Sequence, residues 1–87
     1  SPQAVIEWGV SGFEALTAVD FGFIEALKPE IVILGTGAAQ RFPRPELTRA
    51  LAASGVGVEV MDSRAACRTY NILATEGRKV VAAILTA

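Results

Sequence analysis

Ile31-Val32-Ile33-Leu34-Gly35-Thr36-Gly37 and, further on, Val56-Gly57-Val58-Glu59-Val60-Met61-Asp62 are the two stretches that decide the fold. The first is a β-branched run without alternation, the pattern of a strand buried on both faces. Between the stretches, Pro43 and Pro45 bracket a helix start, with Pro45 suited to the first helical position. Leu47, Ala50 and Leu51 give that helix an apolar stripe, and Ser54-Gly55 supplies its stop. Val56–Met61 then reads as a second buried strand. Short strand–helix–strand connections favour a right-handed crossover, so the two strands are expected side by side and parallel. Their carboxyl ends would share one rim, where α/β domains usually place ligands.

Downstream, Ser63 reads as the cap of a helix running to about Glu76, with Gly77 just beyond its end. Ala66, Tyr70, Leu73 and Ala74 make its core face, and Val80–Leu85 is the last strand. The direction of that strand is open, because a short connection could return it antiparallel. Upstream, Val5–Trp8 is β-like and Gly9, Ser11 and Gly12 form a turn region. Thr17 and Asp20 resemble a capping box. Phe21, Ile24, Ala26 and Leu27 follow at mostly helical spacing, Pro29 stops the helix near Lys28, and Phe13 and Leu16 pack beside its start. The order β-α-β-α-β-α-β predicts an α/β fold of three layers, a central mixed and largely parallel sheet flanked by helices, in one domain over residues 1–87.

Composition narrows function more by exclusion than by motif. With 52% hydrophobic and 20% charged residues, the chain can bury a core although it is only 87 residues long. A net charge of −1 and the lack of any basic run argue against a nucleic-acid surface or a polybasic membrane patch. The longest apolar stretch, Val80–Leu85, falls far short of the roughly 20 residues that span a bilayer, so no direct membrane insertion is expected. The absence of histidine excludes Ser-His-Asp and Cys-His nucleophile sets and His-ligated zinc. A single cysteine, Cys67, excludes an internal disulfide and fits a reducing, cytoplasmic setting.

Gly35-Thr36-Gly37 after a strand resembles a dinucleotide fingerprint, but Gln40 stands where a third glycine is wanted and the helix waits until Pro45. A tight turn needing glycine backbone freedom accounts for the same residues. The segment from Gly35 to Arg44 is nevertheless longer than the ~2–6 residues usual for such connections. Arg41 and Arg44 could face the amino end of the Ser63 helix, where Arg64 and Arg68 lie one turn apart. Gly35, Thr36, Gly37, Gln40, Arg41, Asp62, Ser63, Arg64 and Arg68 therefore make a candidate anion or ligand site, with backbone N–H groups, helix dipole and guanidinium groups as donors. The competing reading has these arginines bonded to carbonyls or to Asp62 and Glu59. Cys67 shares a helical face with Arg64 but lacks a base, and reads as a core cysteine. Tyr70 reads as half-buried and hydrogen-bonded, Asn71 as bonded to a neighbouring loop, and Glu14, Glu25, Glu46 and Glu76 as solvated helix charges. No residue set calls for a cofactor or a metal.

Gly35-Thr36-Gly37, Gln40-Arg41-Phe42-Pro43, Gly57-Val58-Glu59-Val60-Met61-Asp62 and Ala66-Cys67-Arg68-Thr69-Tyr70-Asn71 together resemble the family of mitochondrial complex I assembly factor three and the adipogenesis-associated domain protein. Its bacterial and archaeal members form a domain of unknown function. The resemblance covers essentially the whole chain. It implies a three-layer α/β fold with a mixed sheet, of which this sequence lacks the usual N-terminal hairpin. It also implies no established enzyme activity and a binding role. The expectation is a small, cytoplasmic, non-enzymatic domain that binds an unidentified protein partner and assists assembly of a membrane complex. The alternative is an enzyme or ligand sensor using the anion site. A homodimer is also expected as an option, since exposed sheet edges invite association.

Overall fold

The computed structural model describes residues 4–7 and 16–85. Trp8, the turn at Gly9, Ser11 and Gly12, and Phe13 and Glu14 lie outside the described residues. The elements are β1 (Ala4–Glu7), α1 (Ala18–Glu25), β2 (Ile31–Thr36), α2 (Pro45–Ala53), β3 (Gly57–Met61), α3 (Ser63–Thr75) and β4 (Val80–Leu85). The four strands form one sheet in the order β1-β4-β2-β3, and each of the three pairings is parallel. The expected β2–β3 pair is present, and the open question of the last strand resolves as parallel. The sheet is therefore parallel throughout the described residues, without the antiparallel element that a mixed sheet would carry.

Alternate residues of the two central strands divide the core. Val32 and Leu34 of β2 with Val81, Ala83 and Leu85 of β4 pack against Leu16, Phe21 and Ile24 around α1 and against Leu51 of α2. Ile33 with Val80, Ala82 and Ile84 packs against Ala66 of α3, and Tyr70, Leu73 and Ala74 complete that side. This gives the three expected layers. Phe21, Ile24, Ile33, Leu34 and Leu51 are all fully buried, and each contributes about 1.5–3 kcal/mol of apolar burial.

β3 differs from the expected second buried strand. It lies at the sheet edge, with Gly57 and Glu59 exposed and only Val58, Val60 and Met61 partly covered. The fully buried companion of β2 is β4, because a central strand is covered laterally as well as on both faces.

α1 ends at Glu25 rather than near Lys28. Leu27 N–H donates to the Ile24 carbonyl and Lys28 N–H to the Glu25 carbonyl, a tightened last turn. Lys28 then takes a left-handed conformation (φ 52°), the usual backbone state of a residue just past a helix end. Ala26 and Leu27 point outward rather than into the core, and Ala50 of α2 is exposed as well. The Thr17–Asp20 interaction forms as expected, with the Asp20 carboxylate accepting from the Thr17 N–H at 2.8 Å and from its hydroxyl at 3.2 Å. Pro45 occupies the first helical turn of α2, and Gly55 and Gly77 carry the left-handed conformations that follow α2 and α3.

Candidate functional site

β2, β3 and β4 end together. Gly35 lies opposite Met61 and Ile84, and Thr36 opposite Leu85, so the segments leaving these strands meet on one rim. Thr36, only 6% exposed, anchors the first of them. Its hydroxyl donates to the Ala39 carbonyl at 2.7 Å, lies 3.2 Å from the Met61 carbonyl and accepts the Arg41 N–H at 3.0 Å. One side chain thereby closes the loop on itself and ties it to the end of β3.

Ser63 joins three chain segments. The Gly37 N–H donates to Ser63 Oγ and the Ser63 N–H donates to the Gly37 carbonyl, both at 2.8 Å. The Ser63 hydroxyl itself donates to the Leu85 carbonyl at 2.6 Å. The cap of α3 is therefore Asp62, not Ser63: Asp62 Oδ1 accepts the Ala65 N–H at 2.9 Å. Ser63 is drawn away from capping because its hydroxyl bridges the ends of β2 and β4.

The two glycines flanking Thr36 serve different needs. Gly37 has φ 93°, a conformation glycine adopts without strain. Gly35 is required by space: a Cβ there would lie 3.0 Å from Ile84 Cδ1 and from Ser63 Oγ, and 3.1 Å from Ala66 Cβ. Its bare backbone lets α3 approach the sheet.

Beside this junction lies an open hollow of about 640 Å³, with Gly37, Ser63, Arg64, Cys67, Arg68 and Leu85 on its walls. Of the candidate site residues, Gly37, Ser63, Arg64 and Arg68 come together here. Gly35, Thr36 and Asp62 support them from behind as packing partner, loop anchor and cap. Gln40 and Arg41 do not line it. The Gln40 amide instead donates to the Val60 carbonyl on the outer edge of β3 at 2.9 Å, and Arg44 stands at the cap position of α2. Cys67 is exposed, contrary to the expected core position. α3 turns Ala66 and Tyr70 toward the sheet and leaves its neighbour Cys67 at the hollow. The sequence reading missed Leu85, because its carbonyl reaches the rim only once β4 is known to lie parallel beside β2.

The chemical inventory at the rim is two exposed guanidinium groups, the exposed Cys67 thiol and the Asp62 carboxylate, because the Gly37 and Ser63 donors are engaged with one another and with Leu85. Among the described residues, no group of three or more histidine, cysteine, aspartate or glutamate side chains is placed to hold a metal ion. No buried side-chain polar atom there lacks a hydrogen-bond partner. At the opposite end of the strands, Glu30 is the perturbed carboxylate among the described residues. Arg78 Nε donates to Glu30 Oε1 at 3.0 Å and the Lys79 N–H donates to the same oxygen, and these hold the Glu30 carboxyl below its ordinary range. Among the described residues no helix is long and apolar enough to cross a membrane.

Residues 1–85 match the family described as "Protein of unknown function (DUF498/DUF598)". The chain belongs to this family. As a DUF498/DUF598 domain it is 38% identical, over 97% of its length, to a Bos taurus protein named NADH dehydrogenase [ubiquinone] 1 alpha subcomplex assembly factor 3. It spans only 47% of that relative, about half its length. A crystal structure of a Bordetella parapertussis protein shares 47% identity at a TM-score of 0.84, covering 92% of this chain and 69% of the other. A Francisella tularensis relative, 34% identical over 76 residues, covers 87% of this chain and 62% of its own length and is named 13 kDa major membrane protein. The family resemblance read from the sequence motifs and the α/β fold it implied are both upheld. The cytoplasmic expectation is not decided by these likenesses, one of which carries a membrane name.

Proposed function

We propose that this DUF498/DUF598 domain is a non-enzymatic, cytoplasmic binding module that holds a protein partner during assembly of a membrane protein complex. The observation that carries the reading is the 38% identity, along nearly the whole chain, to a relative named as a complex I assembly factor. The chemistry of the chain agrees with it. Without histidine, the common general base and the common nucleophile activator are missing. The exposed thiol of Cys67 suits a reducing compartment. The test is affinity capture of the tagged, full-length native protein from its host, followed by identification of stoichiometric partners. Recovery of subunits of a membrane complex under assembly supports the reading, and recovery of no stable partner across several growth conditions removes it.

A second reading is favoured by one local feature, the meeting of Gly37, Ser63, Arg64 and Arg68 at the rim hollow. Two guanidinium groups one helical turn apart suit a carboxylate or phosphate. The Asp62 carboxylate, capping the same helix end, opposes such a ligand. Titration with inorganic phosphate and with succinate, followed by backbone amide shifts, tests this reading. Saturable shifts at residues 63–68 that vanish in Arg64→Ala/Arg68→Ala support it, and flat titrations remove it.

A further inference from the structure

α1 is apolar on two opposite faces. Phe21 and Ile24 fill the core. On the other side, Val19, Gly22, Phe23, Ala26 and Leu27 are all exposed, with Val19 at 79%, Phe23 at 72% and Leu27 at 42%. Ala26 and Leu27 continue the helical path in the closing turn. The spacing i, i+3, i+4, i+7, i+8 is that of a helix-packing seam, and a helix apolar on all sides is normally covered. Gly22 has open space around it, so a neighbouring element can approach closely between Val19 and Phe23.

At 100° per residue, Asp20 lies on one flank of the seam and Glu25 on the other. Each carboxylate is held by its own domain, Asp20 by Thr17 and Glu25 by the Ser54 hydroxyl at 3.0 Å. Lys28, beyond the far end of the seam, is the only cation of α1 and its closing turn. We propose that this seam docks an amphipathic helix of a partner protein whose apolar stripe is flanked by lysines or arginines. The proposal rests on the reading of the domain as a protein-binding module and names the surface and the chemistry of the partner.

Charge and area select this occupant. A second copy would set carboxylate flank against carboxylate flank along the middle of the seam, its Lys28 reaching only the Asp20 end. The seam, whose large exposed apolar side chains are Val19, Phe23 and Leu27, is small beside the ~800 Å² per partner of a standard stable complex. An anionic bilayer would meet carboxylates where it needs lysines. A single basic helix laid along the seam fits both the size and the sign.

The test uses two synthetic helical peptides with leucines at helix-packing spacing, one flanked by lysines and one by glutamates. Backbone amide shifts and fluorescence anisotropy are followed on the full chain. The lysine peptide is expected to shift residues 19–27 and to bind about tenfold or more tightly than the glutamate peptide. Phe23→Asp should lose about tenfold in affinity at unchanged melting temperature, since Phe23 is exposed, and Val19→Glu should behave likewise. Equal affinity for the two peptides, no binding of the lysine peptide, or shifts confined to the rim would overturn the proposal. So would self-association abolished by Phe23→Asp, or Phe23-dependent binding to phosphatidylglycerol vesicles. Partner capture with wild type and Phe23→Asp separates this proposal from the functional reading beneath it. If both capture the same partner equally, the seam is wrong and the binding role stands; if wild type captures nothing, the binding role itself fails.

Discussion

Gly37 and Ser63, 26 residues apart, exchange two hydrogen bonds of 2.8 Å, and the Ser63 hydroxyl passes on to the Leu85 carbonyl. Ser63→Ala leaves the Gly37 N–H and the Leu85 carbonyl without this partner at a part-buried site. The expected loss is about 1–3 kcal/mol, toward the lower end if water reaches the junction. Urea unfolding at constant m-value measures it, and an unchanged midpoint would show that the bridge contributes nothing.

Gly35→Ala should destabilise although the backbone there is not left-handed. Its methyl group would sit 3.0 Å from Ile84 Cδ1 and 3.1 Å from Ala66 Cβ, so the Ile84 side chain and α3 at Ala66 have to give by a few tenths of an ångström. Overpacking of this kind costs about 1–3 kcal/mol. Adding Ile84→Val removes one of the clashing atoms, so the double variant should lose less than the sum of the two single losses. A thermal-melt double-mutant cycle with strict additivity would contradict this contact.

Asp62→Ala removes the cap on Ala65 N–H and should cost about 0.5–2 kcal/mol. Asp62→Asn keeps an oxygen acceptor and should cost less. Hydrogen exchange of the first turn of α3 reads the effect locally, with faster exchange expected at Ala65 in the alanine variant.

Stability should also show an acid-side dependence traceable to Glu30. Its carboxyl is held low in the folded state by Arg78 and by the Lys79 N–H. The contribution is therefore fully present above the carboxyl value of the unfolded chain and is lost as pH falls through the lowered folded value. Glu30→Gln should flatten the corresponding part of the wild-type stability profile, and added salt should shrink the difference because the pair is exposed. Parallel profiles for the two proteins between neutral and acid pH would rule the linkage out.

The legible parts of the fold are those decided locally. Ile31–Leu34 announces a central strand because every residue in it is apolar, and Pro45, Gly55 and Gly77 mark helix ends through backbone constraints that act within a few residues. The alternation of Gly57, Val58, Glu59 and Val60 is itself an edge-strand pattern. Its pairing with β2 was legible, whereas its covering was misjudged. Val80–Leu85 is as wholly apolar as Ile31–Leu34 and so carries the same signal of a central strand, but which distant strands it joins is not written within it. At the rim, Ser63 reads as the cap of α3 whereas Asp62 fills that place, because the Ser63 bridge to Leu85 requires β4 in position. Phe23 and Leu27 lie on the apolar pattern of α1, and periodicity alone does not say which of two apolar faces meets the core.

The placement of β4 has a kinetic consequence. The strand that joins β1 to β2 is the last described element to leave the ribosome. Until Val80–Leu85 emerges, β1 has no neighbour among the described strands, and β2 and β3 pair with one side of β2 still open. Nascent chains stalled before residue 80 should thus stay protease-sensitive and reliant on chaperones, with native structure arriving in one late, long-range closure.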